Sequence, residues 1–462
     1  MKKNNIYISL MVFILAFVTS CQDAIDVLPK DEITESSALE TVDDIEDAVT
    51  GVYAAISGSN LISWNSRFSD NLKKGAGNRG QGVQVHTWSI VTSTNEPDGL
   101  WRNMYLVINR ANRILAVIDN IPTNSSADAS KINVFKGELL TIRALMHFDL
   151  ARLFSTSYTD LNALAVPYVD FPVVLEKPAR NTLGEVYTNI ENDLIEASSL
   201  ISSSSRSNIY VTPDVIPALK ARVALYKNTS ADNTVAINNA TTVINNNSIS
   251  SISNMPSVWT DDSEQGVIFK LKRTPTNFAV GTLFTDTNGD VFFSPAKQLM
   301  DLYTSNDARK SSYFASSDEV GKYLGTSSVF GLNDIKMFRV AEQYLIRAEA
   351  YARENMLTEA AADYNMVRKN RISSYTDESF ANKTEALNKI REERRRELAY
   401  EGHRFFDLKR DGLPVTRLAD DCAPNSFACD LPASSHKFTL PIPQTEIFAN
   451  PNIADQQNPG YN

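Results

Sequence analysis

A mainly α-helical fold with little β structure is predicted for this chain on three observations. Apolar residues recur at helical spacing in long segments, as in Val42, Ile45, Val49 and Val52, and again in Met104, Leu106, Ile108, Ala111, Leu115 and Ile118. Three segments repeat one local pattern, an apolar residue, a base and an alanine, then an aromatic about one turn later. They are Ile142-Arg143-Ala144 with Phe148, Leu219-Lys220-Ala221 with Tyr226, and Ile346-Arg347-Ala348 with Tyr351. Only one strand-like segment stands out, Gly266 to Leu271.

The three-residue pattern has a packing meaning. A small residue lets two helices approach closely, and the aromatic one turn on fills the hole between the next pair, as in tetratricopeptide-type helix pairs. The units are unevenly spaced, which predicts a degenerate helical array with insertions and not a regular solenoid. Helices are expected over about 101–118, 136–154, 214–228 and 338–371. Ala360, Ala361, Tyr364 and Val367 form the partner helix of the third unit, and Trp101, Tyr105, Asn109 and Asn112 belong to another. The Gly/Ser/Asn-rich stretch Gly58 to Gly82 reads as loop. Asn228 to Asn254 reads as a mixed connection, and Arg273 to Phe293 as a second loop with exposed aromatics.

With 462 residues, the chain suffices for one large or two ordinary domains. Hydrophobic content of 43% against 22% charged residues allows a packed core. A net charge of −10 argues against nucleic acid, which needs a basic surface.

At the N-terminus, Met1-Lys2-Lys3 precedes an apolar run from Ile6 to Val18 interrupted only by Ser9. The run falls short of the roughly 20 apolar residues of a bilayer span. Charged head, short apolar core and small residues describe a secretory signal. Because Thr19 and Ser20 lead to Cys21, a lipoprotein signal is expected, with Cys21 the lipidated first residue. The alternative is an ordinary signal peptide that contains a cysteine. The expected organisation is therefore a signal over 1–20, a lipidated tether over 21–40 and a domain over 41–462. A multi-chain acyl anchor holds a protein to a membrane stably, and no other segment approaches transmembrane length. Cys422 and Cys429 form a disulfide or stay free thiols, and without histidine neighbours a metal site there is not expected.

Chemistry is hard to find. The four histidines, His86, His147, His403 and His436, lie in no metal-binding pattern. There is no G-x-S-x-G, no phosphate-binding loop and no G-x-G-x-x-G before a helix. A glycosidase-type carboxylate pair stays open. No cofactor and no metal are expected.

The segment Ile390 to Arg410, IREERRRELAYEGHRFFDLKR, begins as a strong helix former, and Gly402 is expected to stop that helix. Arg394, Glu397, Glu401, Arg404 and Asp407 are expected to form a buried or half-buried ion-pair network. The order ER-x-R-EL-x-x-EG-x-R-F-x-DL-x-R resembles the C-terminal signature of the SusD/RagB family, the outer-membrane nutrient-binding lipoproteins of Bacteroidetes. LPIP-x-x-E from Leu440, NP-x-I from Asn450 and QNPGY from Gln457 resemble the family's closing signature, so the C-terminal resemblance covers 384–462. Gln22-Asp23-Ala24-Ile25-Asp26 resembles the surface-export signal of Bacteroidetes lipoproteins. Ser294 to Tyr303, then Asp307 and Arg309, resemble the family's helix and D-x-R turn.

The resemblance implies a protein on the outer membrane facing the exterior, with helix pairs packed against a SusC-like, TonB-dependent β-barrel and an irregular, loop-rich second lobe. It implies binding without catalysis and an oligosaccharide ligand; the RagB branch makes a peptide the alternative. A surface glycoside hydrolase and a pure helical scaffold are the competing classes. A sugar site needs aromatic faces beside amides, carboxylates and guanidinium groups. The two loop zones that the family draws on hold Trp64, Arg67, Asp70, Asn71, Arg79 and Trp88 in the first. The second holds Arg273, Asn277, Phe278, Phe284, Asn288 and Asp290. Trp101, Trp259 and His147 read as core, and for Trp64 and Trp88 a core position stands as the alternative to the ligand site.

Overall fold

A computed structural model describes residues 38–203, 206–326, 329–422 and 429–461. Cys21 and the signal segment lie outside the described residues. Eleven helices matter here. The first seven are α1 (Val42–Ala55), α2 (Ser59–Phe68), α3 (Asn95–Leu115), α4 (Ser126–Phe154), α5 (Leu183–Leu200), α6 (Val215–Lys227) and α7 (Ser230–Asn246). They are followed by α8 (Val340–Arg353), α9 (Leu357–Lys369), α10 (Lys383–Glu397) and α11 (Arg404–Arg410).

The helices pack in a chain. α3 lies on α4, α4 on α5, α6 on α7, α7 on α8, and α8 on both α9 and α10, while α1 covers α3 and α4. The alanines of the repeated pattern, Ala144, Ala221 and Ala348, are fully buried at these crossings. The bases beside them tie neighbours together. Arg143 Nε donates to Asp193 on α5 at 2.9 Å, Arg347 Nε donates to Asp363 on α9 at 2.7 Å, and Lys220 Nζ donates to Ser198 on α5 at 2.8 Å.

Strands are few and short. β1 (Leu72–Lys74) pairs antiparallel with β3 (Phe293–Pro295), and β2 (Val267–Leu271) pairs with β4 (Ile335–Arg339). Among the described residues no sheet exceeds two strands.

Four sequence expectations need correction. The stretch 228–254 contains α7. Thr229 and Asp232 form a capping box at its start, and Ala236, Ala240 and Val243 supply a buried apolar stripe that the Asn/Thr-rich composition obscures. The stretch 58–82 contains α2 and β1, because burial of Ile62, Trp64 and Phe68 outweighs the poor local propensity. Of 294–303 only Lys297–Met300 is helical.

The last correction concerns α10, which ends at Glu397 and not at Gly402. Tyr400 and Gly402 both take positive φ, 64° and 85°. Side chains capture the freed carbonyls. Tyr313 Oη donates to the Glu397 carbonyl at 2.9 Å, Lys322 Nζ to that of Ala399 at 2.7 Å, and Tyr323 Oη to that of Tyr400 at 3.1 Å. A helix end so completely satisfied needs no further turns.

The signature charges sit around this end. Glu397, fully buried, accepts from Arg339 at 2.7 Å, from Arg371 at 2.9 Å and from Arg309 at 3.1 Å. Glu401 pairs with Arg339 and Lys322. Arg394 and Arg410 both reach Asp407. Arg404 crosses to Asp70, which follows α2. Cys422 and Cys429 are joined by a disulfide, with Cα atoms 5.2 Å apart.

Candidate functional site

The two loop zones lie against each other although they are about two hundred residues apart in sequence. Gly75 N donates to the Phe292 carbonyl and Gly77 N to that of Val291, each at 2.9 Å. The Asn78 amide donates to the Phe292 carbonyl at 3.0 Å. Both glycines are required by space. A Cβ on Gly75 would stand 2.3 Å from the Val291 carbonyl oxygen, and one on Gly77 would stand 2.9 Å from the Val291 nitrogen. From beneath, the Arg67 guanidinium lies 5.1 Å from the Phe293 ring centroid and donates to the Leu283 carbonyl at 3.2 Å.

Six of the proposed binding positions are parts of this frame, and all but Arg273 are buried in it. Trp64 is 1% exposed, stacked on Phe68 and edge-on to Phe405. Trp88 is buried with its indole N–H on the Phe68 carbonyl at 2.9 Å and the Arg417 guanidinium 4.4 Å from its ring. Asp70 is clamped between Arg404 and Arg395, which hold its carboxyl far below the usual range against the opposing effect of burial. Asn71 accepts from Arg395 Nε at 3.0 Å. Phe284 is buried against Tyr323 and Tyr400. Arg273 donates to the carbonyls of Ile56 and Ser57 at 3.0 and 2.6 Å, a strut between loop and α1. From sequence all six read as residues of the loop zones, yet five of them are buried and Arg273 is half-buried against chain far away in sequence. Trp64→Ala is therefore expected to lower stability by about 3–5 kcal/mol, seen in chemical denaturation, and not to act selectively on a ligand.

Arg79, Phe278, Asn288 and Asp290 remain at the surface of the joined loops. Arg79 and Asp290 form an ion pair that bridges the two loops. Asp286 Oδ1 accepts from the backbone N–H groups of Asn288 and Asp290, each at 2.9 Å, which fixes the tip. Phe278 is 56% exposed, an uncovered ring on the second loop.

A larger concave feature lies elsewhere and shares no residue with these loops. It is a cleft of about 770 Å³ between the N-terminal half of α3, residues 167–178 and residues 446–450. Trp101 and Tyr105 form its floor. The Trp101 indole N–H donates to Glu446 at 3.3 Å and the Tyr105 hydroxyl donates to the Pro167 carbonyl at 2.8 Å. Leu106, Val174 and Leu175 stand exposed along it, with Asp98, Arg102, Glu176 and Lys177 at the rim. Sequence reading missed it because its walls come from three separate segments. The one local signal was the apolar run Val173 to Leu175 ending in Glu176 and Lys177.

Burial holds the imidazoles of His86 and His147 down to about 3, so both are neutral. His147 Nε2 accepts from the Val169 N–H at 3.0 Å, a structural contact. No group of three His, Cys, Asp or Glu side chains is placed to hold a metal among the described residues.

Comparison with known proteins agrees with this architecture. The SusD family model matches residues 322–461, and a family described as starch-binding, associating with the outer membrane, matches residues 25–226. A putative sugar-binding protein of Bacteroides vulgatus has a solved structure that superposes with a TM-score of 0.81 at 26% identity, over 92% of this chain and 100% of the other. SusD-type family models thus match the chain at both ends. A SusD superfamily protein of Bacteroides thetaiotaomicron is similar, with a TM-score of 0.79 at 27% identity over 91% of this chain and 100% of its own. A SusD-like protein of Formosa agariphila is 23% identical over the full length of both chains. The SusD match at the C-terminus spans α10 and α11, while their partners Arg309 and Asp70 lie outside it. The second loop, 273–293, falls between the two matched spans.

Proposed function

We propose that this protein is a SusD-type nutrient-binding lipoprotein of the outer membrane, anchored through Cys21 and facing the exterior. It captures an oligosaccharide and passes it to a SusC-like, TonB-dependent β-barrel, and it makes and breaks no bond. The observation that carries the sugar reading is the joined-loop surface. The second loop carries an uncovered aromatic ring, Phe278, and the two loops together expose a guanidinium, Arg79, an amide, Asn288, and a carboxylate, Asp290, side-chain types that stack on and hydrogen-bond to sugars. The fold similarity to a putative sugar-binding protein supports it.

A peptide ligand is the second reading, and a specific observation favours it. The 770 Å³ cleft is walled by aliphatic side chains with charges of both signs at its rim, a surface suited to an extended chain with apolar side groups.

The test is calorimetry on protein lacking residues 1–21, against an oligosaccharide panel and a peptide mixture. Under the sugar reading, one glycan class binds, Phe278→Ala weakens it about tenfold, roughly 1.4 kcal/mol, and Leu106→Asp leaves it unchanged. Under the peptide reading, Leu106→Asp abolishes the heat and Phe278→Ala does not. Turnover of a glycan would put the protein among hydrolases. Heat with neither ligand, alone and in complex with the transporter, would reject both binding readings.

A further inference from the structure

A small polar pocket lies where α4 ends, against α6 and α11. Its volume is about 170 Å³, and it is bounded by Thr156, Ser157, Thr159, Asn228, Arg353 and Lys409, among others. It shares no residue with the joined loops or with the large cleft.

Lys409 gives this pocket its character. Its ammonium donates to the Arg152 carbonyl at 3.1 Å and the Ser155 carbonyl at 2.6 Å, capping the C-terminal end of α4. Those bonds use two of its three N–H groups. Among the described residues no carboxylate pairs with it, whereas every other cation around the pocket is matched. Arg353 meets Glu349 and Asp411, Arg410 meets Glu349 and Asp407, and Arg152 meets Asp149. Burial, with no opposing partner, brings the Lys409 ammonium down to about 7. The remaining titratable groups against it are the phenols of Tyr158 and Tyr226. Burial pushes both up, so they stay neutral and supply no counter-charge.

We propose that this pocket binds a single small oxyanion group, a carboxylate, sulfate or phosphate, with the Lys409 ammonium as its counter-ion. An anion there would offset the one ammonium of the pocket that has no carboxylate partner. It would also take up the third ammonium N–H, with the hydroxyls and amide of Thr156, Thr159 and Asn228 at the mouth. The oxyanion is either free in solution or carried on a sugar acid.

The test is calorimetry on the full mature chain in chloride buffer at constant ionic strength, titrated with sodium sulfate, sodium phosphate and sodium galacturonate. Saturable one-site binding of at least one of them at pH 6.5 is expected, weakened at least tenfold in Lys409→Met. Sulfate stays fully ionised across the range, so its affinity for the unaltered protein should fall roughly tenfold or more between pH 6.5 and 8.5 as Lys409 loses its proton. Galacturonate binding without sulfate binding would assign the oxyanion to a sugar acid, and the reverse would assign it to a free ion. The proposal is overturned by the absence of saturable binding of all three, or by equal binding in a Lys409→Met protein with unchanged circular dichroism. If that variant does not fold, the pH profile decides: for sulfate a flat profile overturns the proposal, and for a carboxylate ligand the galacturonate profile is read instead.

Discussion

Glu397→Gln is expected to lower the stability of the domain by about 3–5 kcal/mol. Glu397 is the shared acceptor of Arg309, Arg339 and Arg371, all buried, so its removal strands positive charge away from water. For a domain of this size the loss corresponds to a midpoint roughly 4–5 °C lower in calorimetry. Glu392→Gln, one turn earlier, is the contrast. Its partner is Arg396 and its side chain is 50% exposed, so it should cost less than about 1 kcal/mol. Equal losses from the two substitutions would refute the reading of Glu397 as the hub. The same cluster sets the acid limb. Neighbouring arginines hold Glu397, Glu349 and Asp407 below the ordinary carboxylate range. A carboxyl depressed in the folded state stabilises it above its unfolded pKa, near 4, and loses that contribution as pH falls through the folded value. Stability should therefore decline progressively below about pH 4, and the decline should be shallower in Glu397→Gln.

Gly75→Ala is expected to part the two loops. The new methyl would meet the Val291 backbone at 2.3 Å, and no rotamer change relieves a collision with a carbonyl oxygen. Separation of β1 from β3 would cost about 1–3 kcal/mol. It would also expose residues 75–82 and 284–293 to protease, so limited proteolysis followed by mass spectrometry should show new cuts in both segments. Gly51→Ala is the control, since it lies within α1 with nothing within 4 Å of the new carbon. It should be stabilising by roughly 0.5–1 kcal/mol. Unchanged proteolysis in Gly75→Ala would mean that the loops are held by contacts other than the strand pair.

The helical scaffold was legible because its signals are local. Ala144, Ala221 and Ala348 announce close crossings within their own turns, and the order of charges from Glu393 to Arg410 is specific enough to resemble a family. The helix over 230–246 was hidden because asparagine and threonine are poor helix formers, and three small apolar residues four or fewer positions apart are a faint stripe. The site was the least legible part. Trp64 and Trp88 look like ligand platforms in a glycine-rich stretch, yet their burial is decided by Phe405 and Arg417, more than 300 residues downstream. The large cleft has no contiguous signature, since Trp101, Val174 and Glu446 meet only after folding.

The tail bears on the order in which the molecule can be assembled. The Asn458 amide donates to the Leu440 carbonyl at 2.6 Å and to the Phe154 carbonyl at 2.8 Å, across a separation of 304 residues. Arg180 donates to the Gln456 carbonyl and to Asn458, and Leu440, Ile442 and Ile453 are fully buried. The far end of α4 is thus sealed by residues synthesised some 300 positions after it. A growing chain holds this seam open until residues 440–458 arrive, which leaves it threadable while translation continues. A chain cut short before Leu440 should yield an open, protease-sensitive product in place of a smaller stable domain.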